Sequence, residues 1–251
     1  MPGFDVVLFD FDGVIVNHGA SEFAARCALQ KKFFRWTPKA RRELTPAKMV
    51  RMFELNDNDS NRQFIRGIIK KFAPYVDGRV RRYLFLLYVG RKVSFSEPAH
   101  VSLIPGVERT LKALHAGEVK VGIVSSSQTR RVKRLLRHFG LEDQVDLVVG
   151  RGPVRSAKLR LKPAPDPVIY ALVQIKRRFG LKVDRRRVLF CGDLPIDVRT
   201  AKAAGVKSLA VLTGHGYREE LLDLQPDYLL ESVARLIDEL PEFADLREAR
   251  P

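Results

Sequence analysis

Two acidic residues directly follow the first apolar stretch of the chain, and they are the first side chains that could carry chemistry. Asp10 and Asp12 come after the apolar residues 6–9, and Gly13 follows them. Side chains two apart on an extended strand point the same way, and a glycine lets the backbone turn sharply. Two carboxylates in one site repel each other and lose solvation, so we expect a metal ion, a lysine or both between them.

Three further polar side chains stand where other predicted strands end or where loops begin. Ser125 follows a β-branched run, Lys162 lies in a proline-rich segment, and Asp193 comes just after the fourth predicted strand. In parallel α/β sheets, ligands bind outside the carboxyl ends of the strands. We therefore expect these side chains to share one site with Asp10.

The elements that must position these residues alternate between strand and helix along most of the chain. Short apolar runs bounded by glycine, proline or serine predict buried strands, and the amphipathic stretches between them predict helices. This order predicts an α/β fold with a Rossmann-like, doubly wound parallel sheet. The predicted strands are residues 6–9, 119–124, 145–149, 188–191, 208–212 and 228–230.

One long stretch departs from this alternation. Residues from about 20 to 93 carry only helical patterns, which predicts an inserted all-helical domain. A basic loop is predicted at 150–161, and the tail from residue 242 is predicted to fray. The predicted domains are a first core segment at 1–17, the helical insert at 18–100 and a second core segment at 101–251.

The positive charge of the chain is concentrated in the predicted insert. The formal net charge is +16, and residues 18–100 hold 18 Lys or Arg against 7 Asp or Glu. Basic residues on solvated helix faces explain such a balance, and a face that meets an anionic substrate is the functional alternative. Nucleic-acid binding stays open but is not favoured, because no known binding motif accompanies the charge.

The cysteine content and the hydropathy of the chain indicate its compartment. Cys27 and Cys191 are the only cysteines, which suits reduced thiols better than a disulfide framework. No apolar run approaches the ~18 residues that a membrane span needs, and the basic-then-apolar layout of a signal peptide is missing. We predict a cytoplasmic protein without a membrane partner, as a monomer or homodimer.

Taken together, the motifs resemble the haloacid dehalogenase (HAD) superfamily from residue 4 to about residue 240. The resemblance implies a Rossmann-like core, and it makes the helical insert similar to the cap of the phosphoglycolate phosphatase and β-phosphoglucomutase branch. The segments that carry it, in the family's order, are Asp10-Phe11-Asp12-Gly13-Val14, Ser125, Lys162 within Lys162-Pro163-Ala164-Pro165-Asp166, and Gly192-Asp193-Leu194-Pro195-Ile196-Asp197.

The two acids of the first motif suit phosphoryl transfer. A carboxylate can attack phosphorus and form an aspartyl-phosphate, which divides one hard displacement into two easier ones, and Asp10 is our candidate nucleophile. Asp12 is the candidate acid that protonates the leaving alkoxide and later the base that deprotonates the attacking water. Dehalogenases need no such acid, because halide leaves unprotonated, so Asp12 favours phosphoryl chemistry.

The remaining motif residues are candidates for holding a metal ion and the phosphate. Mg²⁺ prefers oxygen ligands, which Asp10, the backbone carbonyl of Asp12 and Asp193 would supply. Asp197 is expected behind these ligands, where it would orient water or hold Lys162.

The candidate phosphate-binding residues are Ser125, Ser126 and Lys162. Lys162 would offer a point charge to the transferring phosphoryl group and to Asp10. Ser125 would donate to a phosphate oxygen, although it could equally cap the next helix. Lys158 is the alternative to Lys162 if the loop follows a different path.

These assignments predict a Mg²⁺-dependent phosphatase of a small phosphorylated metabolite, such as phosphoglycolate or a sugar or nucleotide phosphate. A phosphosugar mutase of the β-phosphoglucomutase type is one alternative, but such mutases usually carry a histidine in the early cap where Glu22 stands here. The other alternative is a nucleic-acid-binding protein that uses the basic insert.

Overall fold

The computed structural model describes residues 3–17, 43 and 101–248. Met1–Asn17 and Ser102–Pro251 form one compact unit of the chain, and His18–Val101 forms another. The helical domain predicted for residues 18–100 lies, except for Glu43, outside the described residues. The fold that the structure describes is therefore that of the first unit.

Eight strands occur in the part of the chain that the structure describes. Six of them form one parallel sheet in the order β5-β4-β1-β6-β7-β8, and β2 pairs antiparallel with β3 in a separate ribbon. Their bounds are β1 Val6–Phe9, β2 Val16–Asn17, β3 Ser102–Leu103, β4 Lys120–Val124, β5 Leu147–Val149, β6 Val188–Gly192, β7 Lys207–Val211 and β8 Tyr228–Leu230.

Helices connect the parallel strands, as the alternating sequence pattern predicts. The described α-helices are α1 Val107–Ala116, α2 Thr129–His138, α3 Arg151–Ser156, α4 Asp166–Phe179, α5 Pro195–Ala204, α6 Arg218–Asp223, α7 Leu236–Glu239 and α8 Ala244–Glu248. Short 3₁₀ turns occupy Glu142–Gln144, Arg185–Arg187, Val233–Arg235 and Pro241–Phe243. Within residues 3–17 and 101–248, every helix is too short or too polar to cross a membrane.

The hydrophobic core lies between the apolar faces of the sheet and the apolar faces of the helices. Every side chain of β1 is fully buried, as expected for a central strand of a parallel sheet with both faces covered. Val6 and Leu8 point to one face, where they join a cluster with Val168 and Ile175 of α4. Those two positions are seven residues apart and lie on one helix face. Burial of a side chain of this size contributes roughly 1.5–3 kcal/mol.

The order in which strands are added to the sheet reverses at β1. The chain runs from β1 to β4 and β5 on one side and then crosses to β6, β7 and β8 on the other. The carboxyl ends of β4, β1 and β6 therefore lie side by side. In open α/β sheets a crevice forms outside the strands at such a point, and this is where ligands bind.

Two local expectations are wrong. The segment expected to be a basic loop contains the helix α3, and the tail expected to fray is packed. Phe243 is fully buried, and the Arg247 guanidinium donates to the carbonyls of Ile237 at 2.6 Å and Leu240 at 2.7 Å. The aromatic ring and the satisfied carbonyls fix the tail as far as residue 248.

Candidate active site

Asp10 is the first residue beyond β1, and the ladder of the sheet fixes its backbone. Its N–H donates to the carbonyl of Cys191 on the neighbouring strand β6 at 2.8 Å. Its side chain is 12% exposed, so the carboxylate is largely buried at the carboxyl edge. The predicted nucleophile is thus held by the central strand pair.

Lys162 is the cation beside Asp10. Its Nζ lies 3.2 Å from Oδ1 of Asp10 and 2.7 Å from Oδ1 of Asp197. The ammonium also stands over the ring of Phe190, 4.9 Å from the centroid. The side chain is 3% exposed, whereas the alternative, Lys158, is exposed to solvent. The structure therefore brings Lys162 to the site and leaves Lys158 outside it.

Burial and neighbouring charges perturb the pKa values of this pair. Burial raises the pKa of Asp10 to about 7, against the lowering effect of Lys162, and the charges of Asp197 and Asp12 add to the rise. Burial acts to lower the pKa of Lys162, but the charges of Asp10 and Asp197 outweigh it and the pKa lies above its ordinary value. The buried carboxylates thus have more negative charge than one lysine can balance.

Asp193 and Asp197 complete an acidic cluster with Asp10. One carboxylate oxygen from each of the three lies within 4.8 Å of the others. Asp197 uses Oδ1 for Lys162 and accepts the N–H of Leu194 with Oδ2 at 3.2 Å. Asp10 and Asp193 are therefore the better direct ligands for a metal ion, and Asp197 holds the lysine.

The charge of this cluster fits a divalent cation. Three carboxylates and one ammonium sum to −2, which a divalent ion balances. Hard cations such as Mg²⁺ prefer carboxylate oxygens, and a cluster of three aspartates has the right donor type. The donor set therefore fits the metal ion expected from the sequence.

Two glycines allow the backbone to approach Asp193 closely. Gly13 has φ +83°, and a Cβ at Gly13 or at Gly214 would overlap the Asp193 carboxylate. The N–H of His215 donates to Oδ2 of Asp193 at 3.0 Å, and Thr213 Oγ1 donates to the carbonyl of Gly13 at 2.6 Å. The loop after β7 thus supports the site. Sequence analysis missed this role, although the Thr-Gly-His-Gly string after a buried strand was its signal.

Asp12 is held by α2 and the turn before it, apart from the three clustered acids. Its Oδ2 accepts the hydroxyl of Ser127 at 2.6 Å, and Nη1 of Arg131 lies 2.8 Å from Oδ1 and 2.9 Å from Oδ2. Sequence analysis assigned no role to Ser127 or Arg131. Their spacing of four residues, which puts both on one side of a helix start, was the available signal.

The serines after β4 differ in their surroundings. Ser125 is buried, its N–H donates to the carbonyl of Val149 at 2.9 Å, and its Oγ accepts the N–H of Ser127 at 3.1 Å. Gln128 occupies the N-cap position of α2 and makes no side-chain capping hydrogen bond, so Ser125 shapes the turn before the helix instead. Among the described residues no acceptor takes its hydroxyl hydrogen, which can donate to a ligand oxygen. Ser126 is exposed.

Residues 7–211 match the family described as haloacid dehalogenase-like hydrolase. The chain belongs to this family. The match includes every motif residue predicted from the sequence. The haloacid dehalogenase-like hydrolase assignment predicted from those motifs is therefore confirmed.

Curated relatives add a narrower likeness. Phosphoglycolate phosphatase of Salmonella typhimurium is 32% identical over 162 residues, which cover 64% of this chain and 59% of that protein. Phosphoglycolate phosphatase of Escherichia coli strain K12 shows the same identity and coverage. The match thus spans less than two thirds of the length of either relative.

Solved structures of this family share the fold. A haloacid dehalogenase-like hydrolase from Streptococcus pneumoniae is 16% identical and covers 94% of this chain and 98% of its own, with a TM-score of 0.70. A HAD-superfamily hydrolase of subfamily IA from Geobacter sulfurreducens is 21% identical and covers 94% and 96%, with a TM-score of 0.63. The predicted α/β fold with a Rossmann-like parallel sheet is confirmed.

Proposed function

We propose that this hydrolase is a Mg²⁺-dependent phosphatase that removes phosphate from a small metabolite through an aspartyl-phosphate on Asp10. The observation that carries the proposal is the meeting of Asp10, Lys162 and Asp193 in one buried cluster at the carboxyl edge of the sheet. A buried carboxylate beside a fixed cation suits nucleophilic attack on an anionic phosphoryl group.

In the first half-reaction, an oxygen of the Asp10 carboxylate attacks phosphorus while the bond to the leaving oxygen breaks. The proton of the Asp12 carboxyl passes to that oxygen, so the product leaves as an alcohol. Lys162 neutralises the charge on the phosphoryl oxygens, and the Ser125 hydroxyl donates to one of them. Negative charge moves from Asp10 to Asp12, and an acyl phosphate remains.

In the second half-reaction, a water oxygen attacks the phosphorus of the acyl phosphate. Asp12, now ionised, takes a proton from this water, and the bond between phosphorus and the Asp10 oxygen breaks. Inorganic phosphate is released, and both carboxyl groups return to their starting protonation states. The same residue thus serves as acid and then as base.

Asp10, Asp193 and the backbone carbonyl of Asp12 would hold the Mg²⁺ ion. When bound, the ion supplies positive charge that draws the phosphoryl oxygens next to the nucleophile. Asp197 keeps Lys162 in place through its 2.7 Å hydrogen bond. The −2 charge of the cluster supports this assignment.

The relatives and the charge of the chain support the proposed substrate class. Two curated relatives are named phosphoglycolate phosphatase, and a net charge of +16 favours small anions. We propose phosphoglycolate or a sugar or nucleotide phosphate as the substrate. The buried free thiol of Cys191 supports the cytoplasmic location predicted from the sequence, and the protein is proposed to act there as a monomer or homodimer.

The test measures phosphate release from a panel of phosphate esters, with Mg²⁺ and with EDTA. The panel holds 2-phosphoglycolate, β-glucose 1-phosphate, ribose 5-phosphate and UMP, and the proteins are wild type, Asp10→Asn and Asp184→Asn. Asp184 is a matched control because it lies in an exposed pair with Arg186, ahead of β6. We expect Asp10→Asn to lose roughly 10³-fold or more in kcat, because it cannot form the acyl phosphate.

Each other outcome contradicts the proposal in a different way. Phosphate release by Asp10→Asn at the wild-type rate would exclude the aspartyl-phosphate. Conversion of β-glucose 1-phosphate to glucose 6-phosphate without free phosphate would favour a mutase. No turnover by a folded, Mg²⁺-loaded protein, with salt-sensitive binding of RNA or DNA, would favour the nucleic-acid alternative.

A further inference from the structure

The carboxylate of Asp12 has a cation of its own. The Lys162 ammonium contacts Asp10 and Asp197, whereas Asp12 contacts Arg131 and Ser127. Nη1 of Arg131 bridges both Asp12 oxygens at 2.8 and 2.9 Å, and it also donates to Ser127 Oγ at 3.1 Å. The three side chains close a small ring of hydrogen bonds.

Arg131 is buried to an unusual degree for an arginine. Its side chain is 8% exposed, and its Nε is buried without a hydrogen-bond acceptor among the described residues. The guanidinium carbon lies 6.0 Å from the centre of the Phe11 ring, the residue between the two motif acids. An arginine loses solvation in such a place, and among the described residues Asp12 is the carboxylate that it meets.

The contacts with Arg131 and Ser127 restrict the rotation of the Asp12 side chain. Asp12 lies beyond the ladder of β1, where its side chain would otherwise rotate about two bonds. A general acid must lie within hydrogen-bond reach of the leaving oxygen, and a displacement of about 1 Å can cost ~10²-fold in rate. The ring fixes one oxygen of Asp12 with two donors and the other with one.

We infer that Arg131, assisted by Ser127, is a positioning residue that aims the Asp12 carboxyl at the leaving oxygen. The inference rests on the proposed function and extends it to α2, outside the four sequence motifs. Arg131 acts directly on neither the phosphoryl group nor Asp10. Its effect passes through Asp12 alone.

The experiment compares two kinds of ester, because only one kind needs an acid. An alkyl leaving group requires a proton, whereas the phenolate of 2,4-dinitrophenyl phosphate leaves without one. The quantity measured is kcat/KM, since it reports the steps up to release of the leaving group and excludes the second half-reaction. The alkyl ester is the one that wild type hydrolyses fastest in the panel above.

We expect Arg131→Met to lower kcat/KM for the alkyl ester by roughly 10- to 100-fold and for the dinitrophenyl ester by less than about twofold. Arg131→Lys should recover part of the loss, because it returns a cation. Ser127→Ala should show the same preference with a smaller loss, and it keeps the buried helix contacts. Arg130→Met is the matched control, since Arg130 is exposed on the same turn of α2.

A double substitution tests whether Arg131 acts through Asp12. Adding Arg131→Met to the Asp12→Asn variant should lower kcat/KM by less than about twofold further, because the carboxyl group to be positioned is already lost. Equal losses for both esters, independent losses in the double variant, or faster alkyl hydrolysis by Arg131→Met would each overturn the inference. Hydrolysis of neither ester by wild type would instead overturn the proposed function, and this inference with it.

Discussion

The carboxyl and amino ends of the parallel strands form two edges of the central sheet, and their charged side chains differ in burial and in pairing. At the carboxyl edge, Asp10 and Lys162 meet with side chains that are 12% and 3% exposed. At the amino edge, Asp5 and Arg187 pair at 2.7 Å with side chains that are 30% and 41% exposed. The first edge crowds several acids around one buried lysine, whereas the second makes pairs of one acid and one base.

This difference suggests that the carboxyl edge serves the reaction and that the amino edge serves stability. Each buried charge loses several kcal/mol of solvation, and buried groups with perturbed pKa values cluster at functional sites. Half-exposed pairs contribute little individually, but they can join the residues just before neighbouring strands, as Asp5 and Arg187 do for β1 and β6. Substitutions at the carboxyl edge should therefore change activity strongly, and substitutions at the amino edge should change only stability.

Removing the buried lysine should have the largest effect. Lys162→Met leaves Asp10 and Asp197 without their cation, so we expect the free energy of unfolding to fall by about 3–5 kcal/mol without metal. Phosphatase activity should fall by roughly 10²-fold or more. Urea denaturation with and without Mg²⁺ measures the first effect, and added Mg²⁺ should restore part of the stability. A stable, active Lys162→Met protein would remove the distinction between the edges, and exposed Lys158→Met is the control.

Metal binding should stabilise the carboxyl edge. At a Mg²⁺ concentration of 100 times Kd, the wild type should gain about 2.7 kcal/mol in the free energy of unfolding. Asp193→Asn should lose this gain, because one of the two best-placed carboxylates is then neutral. Thermal unfolding with a Mg²⁺ titration measures both. If Asp193→Asn kept the full shift, the ion would bind elsewhere.

At the amino edge, Asp227 should affect stability in a pH-dependent way. Burial acts to raise the pKa of Asp227, but hydrogen bonds from Lys207 and Ser208 outweigh it and hold the pKa below its ordinary value. Its contribution is present above the unfolded pKa and is lost as pH falls through the lower folded value.

We therefore expect Asp227→Asn to lower the free energy of unfolding by about 1 kcal/mol at pH 7 and to leave it unchanged at low pH. The activity should stay the same. The measurement is urea denaturation from pH 7 to pH 3, with Asp223→Asn, an exposed acid on α6, as the control. A cost that grew toward low pH would contradict the sign of this effect.

The smallest effect is expected for the pair between β1 and β6. Asp5→Asn should lower the free energy of unfolding by about 0.5 kcal/mol at low ionic strength, and less in salt, because exposed charges are screened. Denaturation midpoints at low and high NaCl measure the difference. A loss of phosphatase activity in this variant would show that the two edges are coupled.

Sequence reasoning was most successful where a residue is tied to the end of a strand. Asp10, Ser125 and Asp193 each follow directly on a strand of the predicted sheet, so the topology alone brings them together. Lys162 depends on a loop, yet its proline-rich context marked it. The sheet itself followed from the alternation of buried runs and amphipathic helices.

Contacts between segments far apart in the chain were not predicted from the sequence, because they depend on how helices and loops pack. Arg131 and Asp12 are 119 positions apart, and their contact requires one face of α2 to meet the loop after β1. The His215 backbone reaches Asp193 only because β7 and β6 are neighbours and Gly214 leaves room. The packed tail was missed because Phe243 and Leu246 are the only large apolar residues in a charged segment.

The ribbon of β2 and β3 has a consequence for how such a protein can evolve. It pairs Val16 with Leu103 and Asn17 with Ser102, so the point where the chain leaves the sheet unit lies beside the point where it returns. The two ends of residues 18–101 are thus held together by the sheet unit itself, and lengthening a closed segment costs only about 0.6 kcal/mol per doubling. Insertions and exchanges can accumulate between the two strands while the chemistry encoded outside them is inherited unchanged.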